Sequence, residues 1–326
     1  MQIDSMNYSS HPCKTIIIYP PILWHYLLLE KNDEKVLLVP AYIKAELKHT
    51  ILNDIFLNIN SKKEALISQG AVPNGLEQTL LMHPDIVITW EGLTGGLSLI
   101  NYQGLRTISN LNNTKNFQEM YHHFGVLTSK EQEVNMLFKT QNEQLKNIGN
   151  IYQNKYPISK IIVVSNNNFG VWNNNVTTFN RNLSLINANN IAAKFANNNS
   201  INLETIIMLN PDYIFLVNNN LMNITPEDIY KNPLFQSITA IKKRQVYKMP
   251  IGICRMDSPV EIPILFQWMA QLIHPSQKQH WNIRNELSDL YTKYFNYKIT
   301  DEEIDHLLSI NENLGSSNYI IYKRKE

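Results

Sequence analysis

Leu76–Val87 reads LEQTLLMHPDIV, and Leu203–Ile214 reads LETIIMLNPDYI. In each stretch Leu-Glu opens an apolar helical run, a polar residue closes it, and Pro-Asp turns the chain. A β-branched or aromatic run follows. The residue before a proline is disfavoured in the α region, so the helix ends at His83 in the first copy and at Asn210 in the second. The Pro-Asp turn then feeds a buried strand, Ile86–Thr89 in one copy and Tyr213–Val217 in the other. Two distant copies of one helix–turn–strand unit are too few for a solenoid and predict a duplication, with two lobes of like topology.

Working outward, each copy is preceded by a short continuous apolar run, KTIIIY at Lys14–Tyr19 and KIIVVS at Lys160–Ser165. Runs of this kind suit parallel strands covered on both faces. Further strands are expected at Val36–Val39, Arg106–Ser109 and Gln245–Lys248. Strands alternating with helices predict an α/β fold, with a mainly parallel sheet in each lobe. Between the lobes, Val134, Leu137, Phe138, Leu145, Ile148 and Tyr152 recur at three- and four-residue steps, one face of a long amphipathic helix over Ser129–Asn154. Thr128 or Ser129 can cap its start, with Glu131 and Glu133 in its first turn. About 25 helical residues span roughly 37 Å. The expected organisation is an N-terminal lobe over 1–127, a connecting helix over 128–156, and a C-terminal lobe over 157–326.

Composition agrees and removes several function classes. A chain of 326 residues, 44% hydrophobic, is too long for one ordinary core. Its 29 basic and 28 acidic residues leave a net charge of +1, which offers no basic surface for nucleic acid or membrane. Lys242-Lys243-Arg244 reads as a solvated turn. The most apolar stretch, Thr15–Leu29, is broken by Pro20, Pro21 and His25 and falls short of the ~20 residues of a membrane span. The opening MQIDSMNYSSHPCK has neither the basic start nor the apolar core of a signal peptide. Either an export signal is missing from this sequence or the protein is not exported. No apolar segment precedes Cys13, as a lipoprotein cysteine would need. Cys13 and Cys254 form no CxxC motif and are two free thiols or one bridge. No GxSxG, P-loop or GxGxxG is present, and the Gly92–Gly96 loop lacks the Lys-Ser/Thr of a phosphate-binding loop. The histidines form no HxxxH or HExxH, and the adjacent His122 and His123 point in different directions on a helix. Neither catalysis, nor a resident cofactor, nor direct metal coordination is expected.

With these features in order, the chain resembles the periplasmic binding proteins of the iron-siderophore, haem and cobalamin import class. In that class one long helix joins two Rossmann-like lobes. The marks are NGLEQTLLMHPDIVITW at Asn74–Trp90 and its second-lobe counterpart, NPLFQSITAIKKRQV at Asn232–Val246, SPVEIPILFQWMAQLIHP at Ser258–Pro275, and the Tyr291–Leu308 tail. The resemblance covers nearly the whole chain. It implies a monomeric solute-binding component of an ABC importer, working outside the cytoplasmic membrane. Its ligand would be a metal complex, a ferric siderophore first, with corrinoid, haem, nickel or molybdate species as alternatives. Its partner would be the membrane permease, which such proteins meet through rim carboxylates, here Glu91 and Glu261. The chain departs from the pattern in lacking a signal peptide and in carrying NANNIA at Asn187–Ala192, where a Gly-Gly turn is common. The asparagine triplets at 166–168, 173–175, 197–199 and 218–220 read as loops. The rival functions are a chelatase or metallocofactor enzyme on similar lobes, and an adaptor that has lost its ligand.

In open α/β sheets ligands bind beyond the carboxyl ends of the strands. In two facing lobes those loops line one cleft. The loops after the expected strands hold Trp24, Trp90, Phe169, Trp172, Arg255 and Asp257. Rigid aromatics supply apolar area at small entropy cost. Arg255 can pair bidentately with the oxygens of an anionic complex, or else with Asp257. By resemblance, Trp90 matches a tryptophan that contacts cobalamin in relatives. Trp24 has a second reading, as the start of a buried helix. His25 is the one histidine near the expected cleft. Trp268 reads as core and Trp281 as packing or surface.

Overall fold

The structure, a computed structural model, describes residues 14–17, 20–40, 51–61, 63–65, 81–88, 106–108, 114–167, 170–171, 177–195, 201–218, 223–253, 256–277 and 279–324. The chain divides into two compact units, Met1–Met136 and Leu137–Glu326.

Unit 1 runs β1 (Thr15–Ile17), α1 (Pro20–Glu30), β2 (Leu38–Pro40), α2 (Leu52–Ile55), β3 (Lys63–Ala65), β4 (Ile86–Ile88), β5 (Arg106–Ile108) and α3 (Thr114–Thr128). Parallel pairing gives β1-β4-β5 and, separately, β2-β3. A parallel bridge from Thr15 to Val36 joins the two groups, with Thr15 N–H donating to Lys35 O (2.9 Å) and Leu37 N–H to Thr15 O (2.8 Å). The effective order is therefore β3-β2-β1-β4-β5. Helix α1 begins on Pro20 and Pro21, where a missing N–H costs nothing. It is buried from Ile22 to Glu30, with Leu23, Tyr26 and Leu27 beside Tyr121 and Phe124 of α3 among the core residues.

The next helix, α4, spans Glu131–Tyr152, starting in unit 1 and ending in unit 2. It is shorter than the expected Ser129–Asn154, and its 22 residues span about 33 Å. The reason lies at Ser129, whose φ of 56° is left-handed and closes α3 instead of capping α4. The Thr128 hydroxyl is likewise spent on α3, donating to Phe124 O at 2.7 Å. In unit 1 the start of α4 is held by an ion pair between Lys31 and Glu133 (2.9 Å) and by Lys130 Nζ donating to Leu29 O.

Unit 2 runs β6 (Ser159–Val164), α5 (Thr177–Leu183), β7 (Ala188–Asn190), α6 (Leu203–Leu209), β8 (Tyr213–Leu216), α7 (Pro226–Lys231), α8 (Thr239–Lys242), β9 (Val246–Lys248), α9 (Ile262–Ile273), α10 (Ile283–Phe295), α11 (Asp301–Leu307) and α12 (Ile310–Asn313). Its four strands are parallel in the order β7-β6-β8-β9. Ile162, Val164, Ile214, Leu216 and Val246 pack one core with Ile206, Ile229 and Ile241. Phe215 and Tyr247 belong to an aromatic group with Trp268, Tyr319 and Tyr322.

The duplication predicted from the two Pro-Asp segments is present in atomic detail. In both units the second strand lies on one side of the first, and the strand that follows the Pro-Asp turn lies on its other side with one more strand beyond it, β1-β4-β5 in unit 1 and β6-β8-β9 in unit 2. His83 and Asn210 both adopt left-handed backbone, with φ of 47° and 44°. Asp85 N–H donates to Lys14 O (2.9 Å) while its carboxylate accepts from Lys14 N–H (2.6 Å). Asp212 does the same to Lys160, at 2.8 Å and 2.9 Å. Each aspartate thus ties the first strand of its unit to the strand that follows the Pro-Asp turn, β1 to β4 and β6 to β8.

Two strands have no counterpart in the sequence reading, β3 and β7. The NANNIA segment is not only a loop, since Ala188–Asn190 forms β7. Asn187 supplies the left-handed turn before it (φ 49°) that a glycine would otherwise make. The Asn187 side chain is also occupied, donating to Tyr152 O (2.8 Å) and Tyr156 O (3.0 Å).

Candidate functional site

A sheet in which the first strand has the second on one side and the third on the other has a switch point between first and third. Outside their carboxyl ends a crevice opens. In unit 2 that point lies between β6 and β8, and its loops are held by asparagine side chains. The loop after β6 folds back so that Ser165 N–H donates to Gly170 O (2.6 Å) and Val171 bridges Val164. Gly170 N–H donates to Asn166 Oδ1 (2.9 Å), and a Cβ at Gly170 would collide with that amide. Asn167 Oδ1 accepts from Asn223 N–H (3.0 Å), which joins the loop after β6 to the loop after β8. Asn218 Nδ2, just past β8, donates to the Ser309 hydroxyl (2.8 Å), and Ile251 N–H, past β9, donates to Leu307 O (2.8 Å). The carboxyl end of the unit 2 sheet is thereby laced by neutral amides and backbone groups.

The expected site residues fare differently. Trp90, Glu91, Phe169, Trp172 and Arg255 lie outside the described residues, as do Cys13 and Cys254. Trp24 is corrected. It is 3% exposed within α1 and belongs to the core of unit 1, the second of the two readings given for it. His25 is also enclosed, its Nδ1 2.8 Å from the Tyr121 hydroxyl and its ring edge-on to Phe117. Asp257 is exposed on the loop after β9.

Glu261 is corrected as well. A docking carboxylate must be exposed, and Glu261 is 2% exposed. Its Oε2 accepts from the Ser258 hydroxyl (2.7 Å), and its backbone N–H donates to Ser258 Oγ (3.3 Å). Its Oε1 lies against Gly252, where no side chain would fit. Ser258 and Glu261 thus bond to each other within the turn that precedes α9, which begins at Ile262.

Unit 2 also has a surface hollow of about 610 Å³, lined by Trp281, Arg284, Asp301, Tyr322 and Arg324 among others. None of its lining residues follows a strand. Arg284 is already consumed there by Asp301 (2.6 Å) and Asp305. Among the described residues no group of three or more His, Cys, Asp or Glu side chains could hold a metal ion, and no helix is long and apolar enough to cross a membrane.

This geometry can now be set beside known proteins. A family profile described as periplasmic binding protein matches residues 63–251, more than half of the chain and both Pro-Asp turns. The chain belongs to the periplasmic binding protein family. Members are solute-binding components of ABC importers and act outside the cytoplasmic membrane. The fold of this binding protein is similar to that of a periplasmic solute binding protein from Veillonella parvula (24% identity, 93% of each chain covered, TM-score 0.78). It is also similar to CeuE of Helicobacter pylori in a Ni-His complex (19% identity, 92% of this chain and 95% of that one, TM-score 0.70). A third similar structure is the molybdate periplasmic binding protein MolA of Haemophilus influenzae, bound to molybdate (14% identity, 88% and 94% covered, TM-score 0.72). No protein of curated function matches the sequence.

Proposed function

We propose that this binding protein captures a chelated metal, a ferric siderophore first, and delivers it to the permease of an ABC importer. The observation that carries the reading is the laced carboxyl end of the unit 2 sheet, in a chain whose family binds solutes at such loops. Trp90, Phe169 and Trp172 are assigned to the apolar part of the complex, and Arg255, with Asp257 beside it in sequence, to its charge. Nickel–histidine and molybdate stand as second ligands because two structures of similar fold hold them. Glu91 remains the candidate for permease docking, and the protein is taken to act as a monomer. The reading assigns no chemistry to the protein beyond holding and releasing.

The test is native mass spectrometry with a panel of ferric trihydroxamate, ferric tricatecholate, haem, cobalamin, nickel–histidine and molybdate. One complex should be retained at one copy per chain. Retention of none, at concentrations well above micromolar, would contradict the reading.

A further inference from the structure

Asn167 sits where the unit 2 sheet switches direction, and its two ends are in different states. Its Oδ1 accepts from the Asn223 N–H at 3.0 Å, which tethers the carbonyl end of the amide. The residue is nonetheless exposed, and among the described residues nothing accepts from its Nδ2. The neighbouring amides are committed to the fold, Asn166 to Gly170 and Asn218 to Ser309. The bond between Asn167 and Asn223 also joins the loops on either side of the switch point. A ligand arriving there meets the side chains of the laced loops.

We propose that the Asn167 side-chain amide is a preoriented hydrogen-bond donor to an oxygen atom of the bound solute, and that it helps set specificity for oxygen-rich ligands. The inference rests on the solute-binding reading and names a residue for it. Because the Asn223 N–H holds the carbonyl end, ordering the Nδ2 donor at binding costs less than it would for an untethered amide. The donor is neutral. It therefore selects carbonyl, hydroxamate, carboxylate or oxo acceptors without supplying net charge.

The discriminating variant is Asn167→Asp. It keeps an oxygen for the Asn223 N–H, and so keeps the lacing, but turns the donor into an acceptor. The probes are ferric trihydroxamate, nickel–histidine and molybdate, titrated against the wild type and the variant with thermal unfolding of both as a control. For whichever probe the wild type binds, the variant should lose about tenfold or more in affinity at an unchanged melting temperature. Equal affinity in the two proteins overturns the inference and leaves the solute-binding reading standing. Asn167→Ala removes donor and acceptor together and should lose at least as much. A wild type that binds none of the three overturns the inference together with the reading beneath it.

Discussion

Unit 1 and unit 2 share a strand order and an aspartate bracket, yet they end their sheets differently. In unit 1 the edge beyond β2 is extended by β3. In unit 2, among the described residues, the corresponding edge stops at β7, and the opposite edge, β9, is sealed by side chains. Asn313 accepts from Lys248 N–H (2.7 Å) and donates to Lys248 O (2.9 Å). The Tyr230 hydroxyl accepts from Val246 N–H (2.9 Å), and both it and Ser316 donate to Val246 O. These groups take the positions that another strand would fill, which blunts an exposed edge. The difference shows what a duplicated fold keeps: the central strands and the turn that joins them. Each copy finishes its edges in its own way, and in unit 2 the seal comes from Tyr230 of α7 together with Asn313 of α12 and Ser316 after it.

The largest expected effect lies in the aromatic packing under β8 and β9 of unit 2. Trp268 is fully buried, with its Nε1–H donating to the Tyr319 hydroxyl at 3.2 Å. Trp268→Ala should cost about 3–5 kcal/mol. In urea the unfolding curve should split, with unit 2 melting before unit 1. A single transition shifted as a whole would mean that the units unfold as one.

The edge seal comes next. Asn313 is fully buried, and Asn313→Ala removes the two bonds its side chain makes to the Lys248 N–H and carbonyl, at a cost of about 2 kcal/mol. Hydrogen exchange at Lys248 should accelerate with it. Protection equal to wild type would show that the side chain is not what closes this edge.

A smaller change tests the bracket that both units share. Asp85→Ala and Asp212→Ala each remove one exposed carboxylate bond to a backbone N–H, that of Lys14 just before β1 or of Lys160 near the start of β6, and should each cost about 1 kcal/mol. Near-equal losses would support a duplicated device. A loss in one unit alone would reduce the likeness to topology.

The extent to which the sequence disclosed this fold follows from where each strand sits. KTIIIY and KIIVVS were readable because first strands are flanked on both sides and carry unbroken apolar runs. The edge strands β3 and β7, Lys-Glu-Ala and Ala-Asn-Asn, pair on one side only and have no such run to reveal them. The break at Ser129 depends on one left-handed serine, a conformation that composition does not announce. At the site, position after a strand was legible, but direction was not. Trp24 and Glu261 follow strands and turn inward. The amides of Asn166, Asn167 and Asn218 read as loop filler, because a bond within one turn, as at Asn166, or between segments 56 and 91 residues apart, as at Asn167 and Asn218, leaves no periodic trace.

The smallest effect is on pH dependence. His274 stacks on Tyr152 at 5.0 Å, and its Nε2 lies 2.8 Å from Ile186 O. Burial pushes its pKa below the usual histidine value, partly opposed by that carbonyl. In unit 1 burial likewise lowers His123, with Glu119 opposing and His122 reinforcing. A histidine depressed in the folded state binds fewer protons there than when unfolded. Stability is therefore full above the unfolded pKa near 6.5 and falls as pH drops through it toward the folded value. His274→Gln should flatten the urea midpoint of unit 2 between pH 7.5 and 5.5, and His123→Gln that of unit 1. An unaltered slope in both variants would place the sensitivity elsewhere.

The most direct test of the account is where the solute sits. Anomalous diffraction from crystals grown with the metal complex retained in native mass spectrometry would locate its metal. The account predicts a peak over the loops at the carboxyl ends of the strands, within reach of the loop after β6 that carries Asn167. A peak at the amino ends, beside Asp85 or Asp212, or in the hollow lined by Arg284 and Trp281, would contradict it.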